Sequence, residues 1–197
     1  MVPEMESCDA ILQAWYPGQQ GGKAVAEVLF GDYNPAGKLP VTFYRNVSQL
    51  PDFEDYNMTG RTYRYMQDVP LFPFGYGLSY TTFGYGKTVL DKNELTAGQS
   101  LKLTVPVTNT GKRNGEEVVQ VYLRKQGDAE GPIKTLRAFK RVSIPAGKTV
   151  NVEFDLKDKE LEWWDDQSNT VRVCPGNYDI MAVSYTHLRA HETSLHL

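Results

Sequence analysis

The chain has 197 residues, a formal net charge of −3, and 41% hydrophobic and 23% charged residues. Those proportions suit a folded protein of one or two domains and exclude a long disordered chain or a coiled coil. The slight acidity excludes a phosphate-driven nucleic-acid binder, which carries a clustered basic surface, and no run of about 18 apolar residues is present to span a membrane.

The opening MVPEMESCDA has no basic start followed by an apolar stretch, so no signal peptide is expected. Ala10-Ile11-Leu12-Gln13-Ala14-Trp15 is a short, mostly apolar run of strand length. A helix is predicted from about Gly21 to Phe30, because Ala24, Val25, Val28 and Leu29 recur at helical spacing and leave Lys23 and Glu27 for solvent. Gly31 stands where a C-cap glycine belongs. Asn34-Pro35-Ala36-Gly37 reads as a turn, and Val41-Thr42-Phe43-Tyr44 as the next strand. A strand, a helix and a strand in this order suggest part of a parallel sheet. Residues 1–44 are too few for a whole α/β domain and are read as the C-terminal remnant of one.

Residues 45–80 read as a linker rich in Pro, Asp, Asn, Gly and aromatics. Tyr63, Tyr65, Phe72, Phe74, Tyr76 and Tyr80 need surfaces to bury against, so this segment is expected to lie across the domains it joins. Residues 81–184 read as all-β. Leu101, Leu103, Val105 and Val107 alternate with polar or exposed positions, as in a half-buried strand. Val119, Val121 and Leu123 do the same after Asn114-Gly115, and so do Val150, Val152, Phe154 and Leu156 after Pro145-Ala146-Gly147. Tyr178, Ile180 and Ala182 follow Pro175-Gly176. Short strands between Gly, Pro and Asn turns predict a two-sheet sandwich of about seven strands. Leu161, Trp163 and Trp164 are expected to plug one end of its core. The tail, residues 185–197, holds His187, His191 and His196 and shows no clear strand alternation. The run SYTHLRAHET resembles translated adapter DNA, so the tail is expected to be non-native. The rival reading is a metal-binding tail, since His187 and His191 would share one face of a helix.

Other motifs are weak. Cys8 and Cys174 have neither zinc-ligand nor CxxC spacing and read as idle or buried thiols. Gly18, Gly21, Gly22 and Lys23 fail the phosphate-loop pattern because Ala24 follows the lysine. Asn46-Val47-Ser48 and Asn57-Met58-Thr59 match glycosylation acceptors, triplets that are common by chance. No metal or organic cofactor is implied.

Three stretches, taken together, carry a resemblance. The first is Ala14-Trp15-Tyr16-Pro17-Gly18-Gln19-Gln20-Gly21-Gly22, followed by Val28-Leu29-Phe30-Gly31 and by Asn34-Pro35-Ala36-Gly37-Lys38-Leu39-Pro40-Val41-Thr42. The second is Arg61-Thr62-Tyr63-Arg64-Tyr65, followed by Phe72-Pro73-Phe74-Gly75-Tyr76-Gly77-Leu78-Ser79-Tyr80-Thr81-Thr82-Phe83. The third is Val105-Pro106-Val107-Thr108-Asn109-Thr110-Gly111, followed by Glu117-Val118-Val119-Gln120-Val121-Tyr122. In this order and spacing they resemble the C-terminal part of glycoside hydrolase family 3: the end of its second, α/β domain, the bridge beyond, and its fibronectin type III-like domain. One departure is Gln20, where relatives often carry Glu.

The resemblance implies a mainly β fold: an immunoglobulin or fibronectin type III-like β-sandwich preceded by a partial α/β segment and an extended aromatic-rich linker. It implies a parent that is a retaining β-glycosidase, a β-glucosidase or β-xylosidase, acting on an oligosaccharide or glycoside. Such a parent is expected in the periplasm or outside the cell, with no nucleic acid or membrane as partner. In the family the nucleophile is an Asp on an N-terminal barrel, and the acid/base is usually a Glu upstream in the second domain. Neither segment is matched here, so no catalytic residue is carried over and the chain alone is expected to be inactive. Two acidic clusters, Asp52, Glu54 and Asp55, and Glu160, Glu162, Asp165 and Asp166, are read as solvated loop acids, because sequence clustering does not supply the roughly 5–5.5 Å carboxyl spacing that retention needs.

Tyr56, Arg61, Tyr63 and Arg64, with Tyr65, are candidates for the edge of the parent's sugar cleft, since rings stack on sugars and Arg donates to hydroxyls. The preferred reading has them gluing the α/β domain to the sandwich. The alternative function is a non-enzymatic β-sandwich that binds carbohydrate. The segment 10–44 weighs against that, because a free-standing module has no use for part of a sheet. It also predicts an exposed apolar patch at Trp15, Val25, Leu29 and Phe43.

Overall fold

A computed structural model describes residues 7–185 and 193–197. His187 and His191, and with them the metal-binding reading of the tail, lie outside the described residues.

Helix α1 spans Gly21–Phe30, the predicted range. It stops at Gly31, whose left-handed φ of 81° suits a residue without a Cβ, and the Gly31 N–H donates to the Val28 carbonyl. The two strands expected on either side of it do not form. Residues 10–15 hold no strand, and residues 11–20 are all exposed. From the 41–44 run only Phe43 pairs, in an isolated antiparallel bridge to Phe72. An apolar run becomes a strand only where a neighbour takes its backbone bonds, and no parallel neighbour is present among the described residues. The linker carries a 3₁₀ turn, Val47–Gln49, and a one-turn helix α2, Thr62–Tyr65.

The sandwich follows. Strands β1 (Phe83–Tyr85), β2 (Val89–Leu90), β3 (Leu101–Asn109) and β6 (Thr149–Leu156) make one antiparallel sheet, with β3 between β6 and the two short strands. Strands β4 (Gly115–Lys125), β5 (Thr135–Ile144), β9 (Asn177–Val183) and β10 (Thr193–His196) make the other, in the order β10-β9-β4-β5. Leu103 faces Phe154 across β3 and β6, and Val105 faces Val152. These side chains meet Val119, Val121, Leu123, Tyr178 and Ile180 of the second sheet in one core. A ribbon of β7 (Glu162–Asp165) and β8 (Thr170–Val173) closes one end, preceded by the short helix α3 (Asp158–Leu161).

Four features differ from the sequence reading. Strand β5 carries no strand signal in its sequence, because its middle is exposed on both parities, with Phe139 69% exposed, and so it lacks clean alternation. Of the expected plug, Leu161 and Trp163 enter the core, but Trp164 lies on the outer side of the ribbon, 51% exposed. The tail does supply a strand: Thr193–His196 pairs with β9, and Leu195 is buried. Finally, β4 and β9 bury both faces, so Gln120, Tyr122, Met181 and Val183 are covered as fully as their inward-facing neighbours. The linker is what covers them.

Candidate functional site

Neither acidic cluster is gathered for catalysis. Asp52 accepts the Glu54 N–H at 3.0 Å, and Asp55 accepts both the N–H and the side-chain amide of Asn57. These are Asx turns that hold a loop. Glu160 accepts the Lys157 N–H and so caps α3. Asp166 accepts the Trp164 indole N–H at 2.8 Å. Asp165 accepts from the Ser168 hydroxyl and from Arg172 at 2.7 Å. Those bonds, the Ser168 one first, hold its carboxyl down at about 2. Among the described residues no group of three or more His, Cys, Asp or Glu is placed to hold a metal ion.

The linker candidates are spread over different surroundings. Tyr56 is 89% exposed. Arg61 folds back on its own loop, donating to the Asn57 carbonyl at 2.8 Å and also to the Asp55 carbonyl. Tyr63 turns onto the sandwich. Its ring stacks on Phe74 at 4.3 Å and meets the Tyr122 ring edge-on at 5.8 Å. Its hydroxyl accepts the Leu136 N–H of β5 at 3.1 Å. The Arg64 carbonyl accepts the Ile133 N–H, while its side chain is exposed. Tyr63, Phe74 and Leu136 thus lie over Tyr122, Met181 and Val183 on the outer face of the second sheet. Burial, and then the neighbouring Tyr63, push the Tyr122 phenol well above the ordinary range, so it stays protonated and donates to Gln120 at 2.6 Å. Gln120 in turn donates to the Gly75 carbonyl of the linker.

Thr62 sits between Arg61 and Tyr63 at φ 55°. That conformation is uncommon for a β-branched residue and costs on the order of 1–3 kcal/mol. The strain is held in place by the contacts on both sides of it.

Two further residues matter, and the sequence reading passed over both. Lys38, in the segment before the linker, reaches Glu117 of β4 at 3.2 Å. The available signal was parity: Glu117 lies in register with Val119, Val121 and Leu123 and so had to face the core.

Comparison with known proteins agrees with this architecture. The model described as glycosyl hydrolase family 3 C-terminal domain matches residues 1–80, and the one described as fibronectin type III-like domain matches residues 117–184. A xylan 1,4-beta-xylosidase of Xylanibacter ruminicola is 58% identical over 92% of this chain, and a periplasmic beta-glucosidase of Salmonella typhimurium is 40% identical over 91%. The solved β-glucosidase of Erythrobacter marinus superposes with a TM-score of 0.84 at 42% identity, covering 98% of this chain. The chain spans only 21%, 25% and 26% of the length of these three proteins. With two family models matched in order and the fold reproduced, the chain belongs to glycoside hydrolase family 3, as its C-terminal region.

Proposed function

We propose that this chain is the non-catalytic C-terminal part of a retaining β-glycosidase, a β-glucosidase or β-xylosidase acting in carbohydrate breakdown, and that its role is to stabilise the α/β domain. The observation that carries this reading is the linker's burial on the sandwich through Tyr63, Phe74 and Tyr122. A module that served only to bind sugar would leave that sheet face open.

Retention needs two carboxyl groups flanking the glycosidic bond. Within the two acidic clusters, Asp52 and Asp55 are engaged in Asx turns, Glu160 in a helix cap and Asp165 in a ribbon ion pair. The nucleophile and acid/base are assigned to the barrel and the upstream α/β segment of the parent. The substrate is a glycoside or oligosaccharide bound there, and the compartment is periplasmic or extracellular, which the naming of the Salmonella relative supports. Within the parent, Tyr56 is the linker residue exposed to edge the sugar cleft, while Arg61 braces its own loop and Tyr63 and the Arg64 backbone hold the linker down. The division is 1–44 for the end of the α/β domain, 45–80 for the linker and 81–184 for the sandwich, with 185–197 as a non-native tail that happens to complete a sheet edge.

The test is to assay the purified chain on aryl β-glucosides, β-xylosides and α-arabinosides beside a full-length parent rebuilt from the same source. Activity is expected in the parent alone. Turnover by the chain that disappears in Asp55→Asn would overturn the reading.

A further inference from the structure

Lys38 stands where three parts of the chain meet. Its ammonium donates to the Gly77 carbonyl of the linker at 3.0 Å and to the Ser184 hydroxyl beyond β9 at 2.9 Å, and it pairs with Glu117 of β4 at 3.2 Å. Two of the three ammonium protons are used in hydrogen bonds, and the charge is met by the Glu117 carboxylate. Glu117 is filled from the other side by the Tyr85 hydroxyl of β1, which donates at 2.8 Å. The Lys38 side chain is 11% exposed and that of Glu117 2%. Both partners are therefore taken out of water, and solvent and salt can do little to replace the contact. The backbone is shaped around this point. A Cβ at Gly77 would overlap the Gly37 carbonyl oxygen, so only glycine lets the linker pass close enough to present its carbonyl to Lys38. On either side, Leu39 donates to the Tyr76 carbonyl, Gly75 donates to the Leu39 carbonyl, and Asn34 donates to the Asn114 carbonyl at 2.9 Å.

Removing two charges from water costs more than a loose pair returns, so such pairs seldom add much net stability. What a directional buried network supplies instead is one geometry, since any rotation of one part against another strands a buried charge. We propose that Lys38, Glu117, Tyr85 and Ser184 form a buried ionic latch that makes the α/β segment, the linker and the sandwich open as one cooperative unit in a single relative orientation. The Tyr63 seam holds the linker by apolar contact, which tolerates sliding; the latch sets where it stops.

Hydrogen exchange read residue by residue on this chain separates the latch from a generic contribution to stability. In Lys38→Met the amides of Leu39, Phe43, Leu71 and Gly75, which are bonded between the segment and the linker, are expected to exchange on the order of 100-fold faster, because Glu117 is left buried without its cation. The amides of β3 and β6 are expected to keep their protection. Uniform acceleration across linker and sandwich, or none at all, would sink the proposal. Should Lys38→Met fail to fold, Glu117→Gln takes its place. It keeps an acceptor for Tyr85 and removes the charge, and it should show the same selective pattern at roughly 10-fold. A uniform pattern in that variant counts equally against the latch.

Discussion

The sandwich and the segment before the linker are written in the same apolar alphabet and end in opposite states. In the sandwich, Leu101, Val105, Val107, Val119 and Ile180 are wholly buried, because each sheet presents its alternate side chains to the other. In the segment, Ile11, Leu12 and Trp15 are nearly half exposed, while Leu29 and Phe30 on α1 are 67% and 84% exposed. Of the residues expected to form an exposed patch there, Trp15 and Leu29 do so, whereas Val25 and Phe43 are partly covered. Phe43 finds Phe72 and Trp15 as aromatic neighbours. Hydrophobic pattern states which face wants to be covered; burial follows only where the covering surface is at hand.

This contrast can be broken most sharply in the core. Leu103→Ala should cost about 2–5 kcal/mol in denaturant unfolding, the usual range for a cavity where a leucine was fully packed. Leu29→Ser, an equally drastic change in chemistry, should stay within about 0.5 kcal/mol, since most of its side chain stays in water on folding. Equal losses at the two sites would mean that α1 is as well packed as the sandwich.

The linker lies between these extremes and sharpens the comparison. Tyr63→Ala uncovers Tyr122, Met181 and Val183 and should cost about 2 kcal/mol. Tyr63→Phe keeps the ring and loses only the acceptor for the Leu136 N–H, for about 1 kcal/mol. In a full-length parent, Arg61→Ala should lower the melting temperature more than it raises KM. A change confined to KM would place Arg61 in the cleft and not in the loop's framework.

The smallest effect is expected at the ribbon. Asp165 is held at about 2, against an ordinary 3.8, by Ser168 and then Arg172. Its folded value is depressed, so its contribution is present above the ordinary value and fades as the pH falls through about 2. Carboxyl chemical shifts followed on acidification should give that low midpoint and return toward the ordinary value in Arg172→Ala. A midpoint unmoved by the mutation would leave the Ser168 hydroxyl and the Gln167 backbone as the causes.

Much was legible before any coordinates. The 3.6-residue spacing of Val25 and Val28 and the glycine at position 31 specify α1 from about Gly21 to Phe30, since both signals are local. The period-2 pattern of β3, β4, β6 and β9 specifies a sandwich, because each strand's alternation already says which of its faces turns to the core. The family could be recognised because its motifs are contiguous. What only the tertiary structure decided is non-local. The extended runs at 10–15 and 41–44 carry no information on whether a partner strand is present, so they read as strands and are not. β5 has no clean alternation and is a strand only because β4 supplies its bonds. Outward-facing Gln120, Tyr122 and Met181 look like surface residues until the linker is laid over them. Lys38 and Glu117 are 79 positions apart in the numbering, and no spacing rule joins them. Folding brings them together at a junction where each is the other's only opposite charge within reach among the described residues.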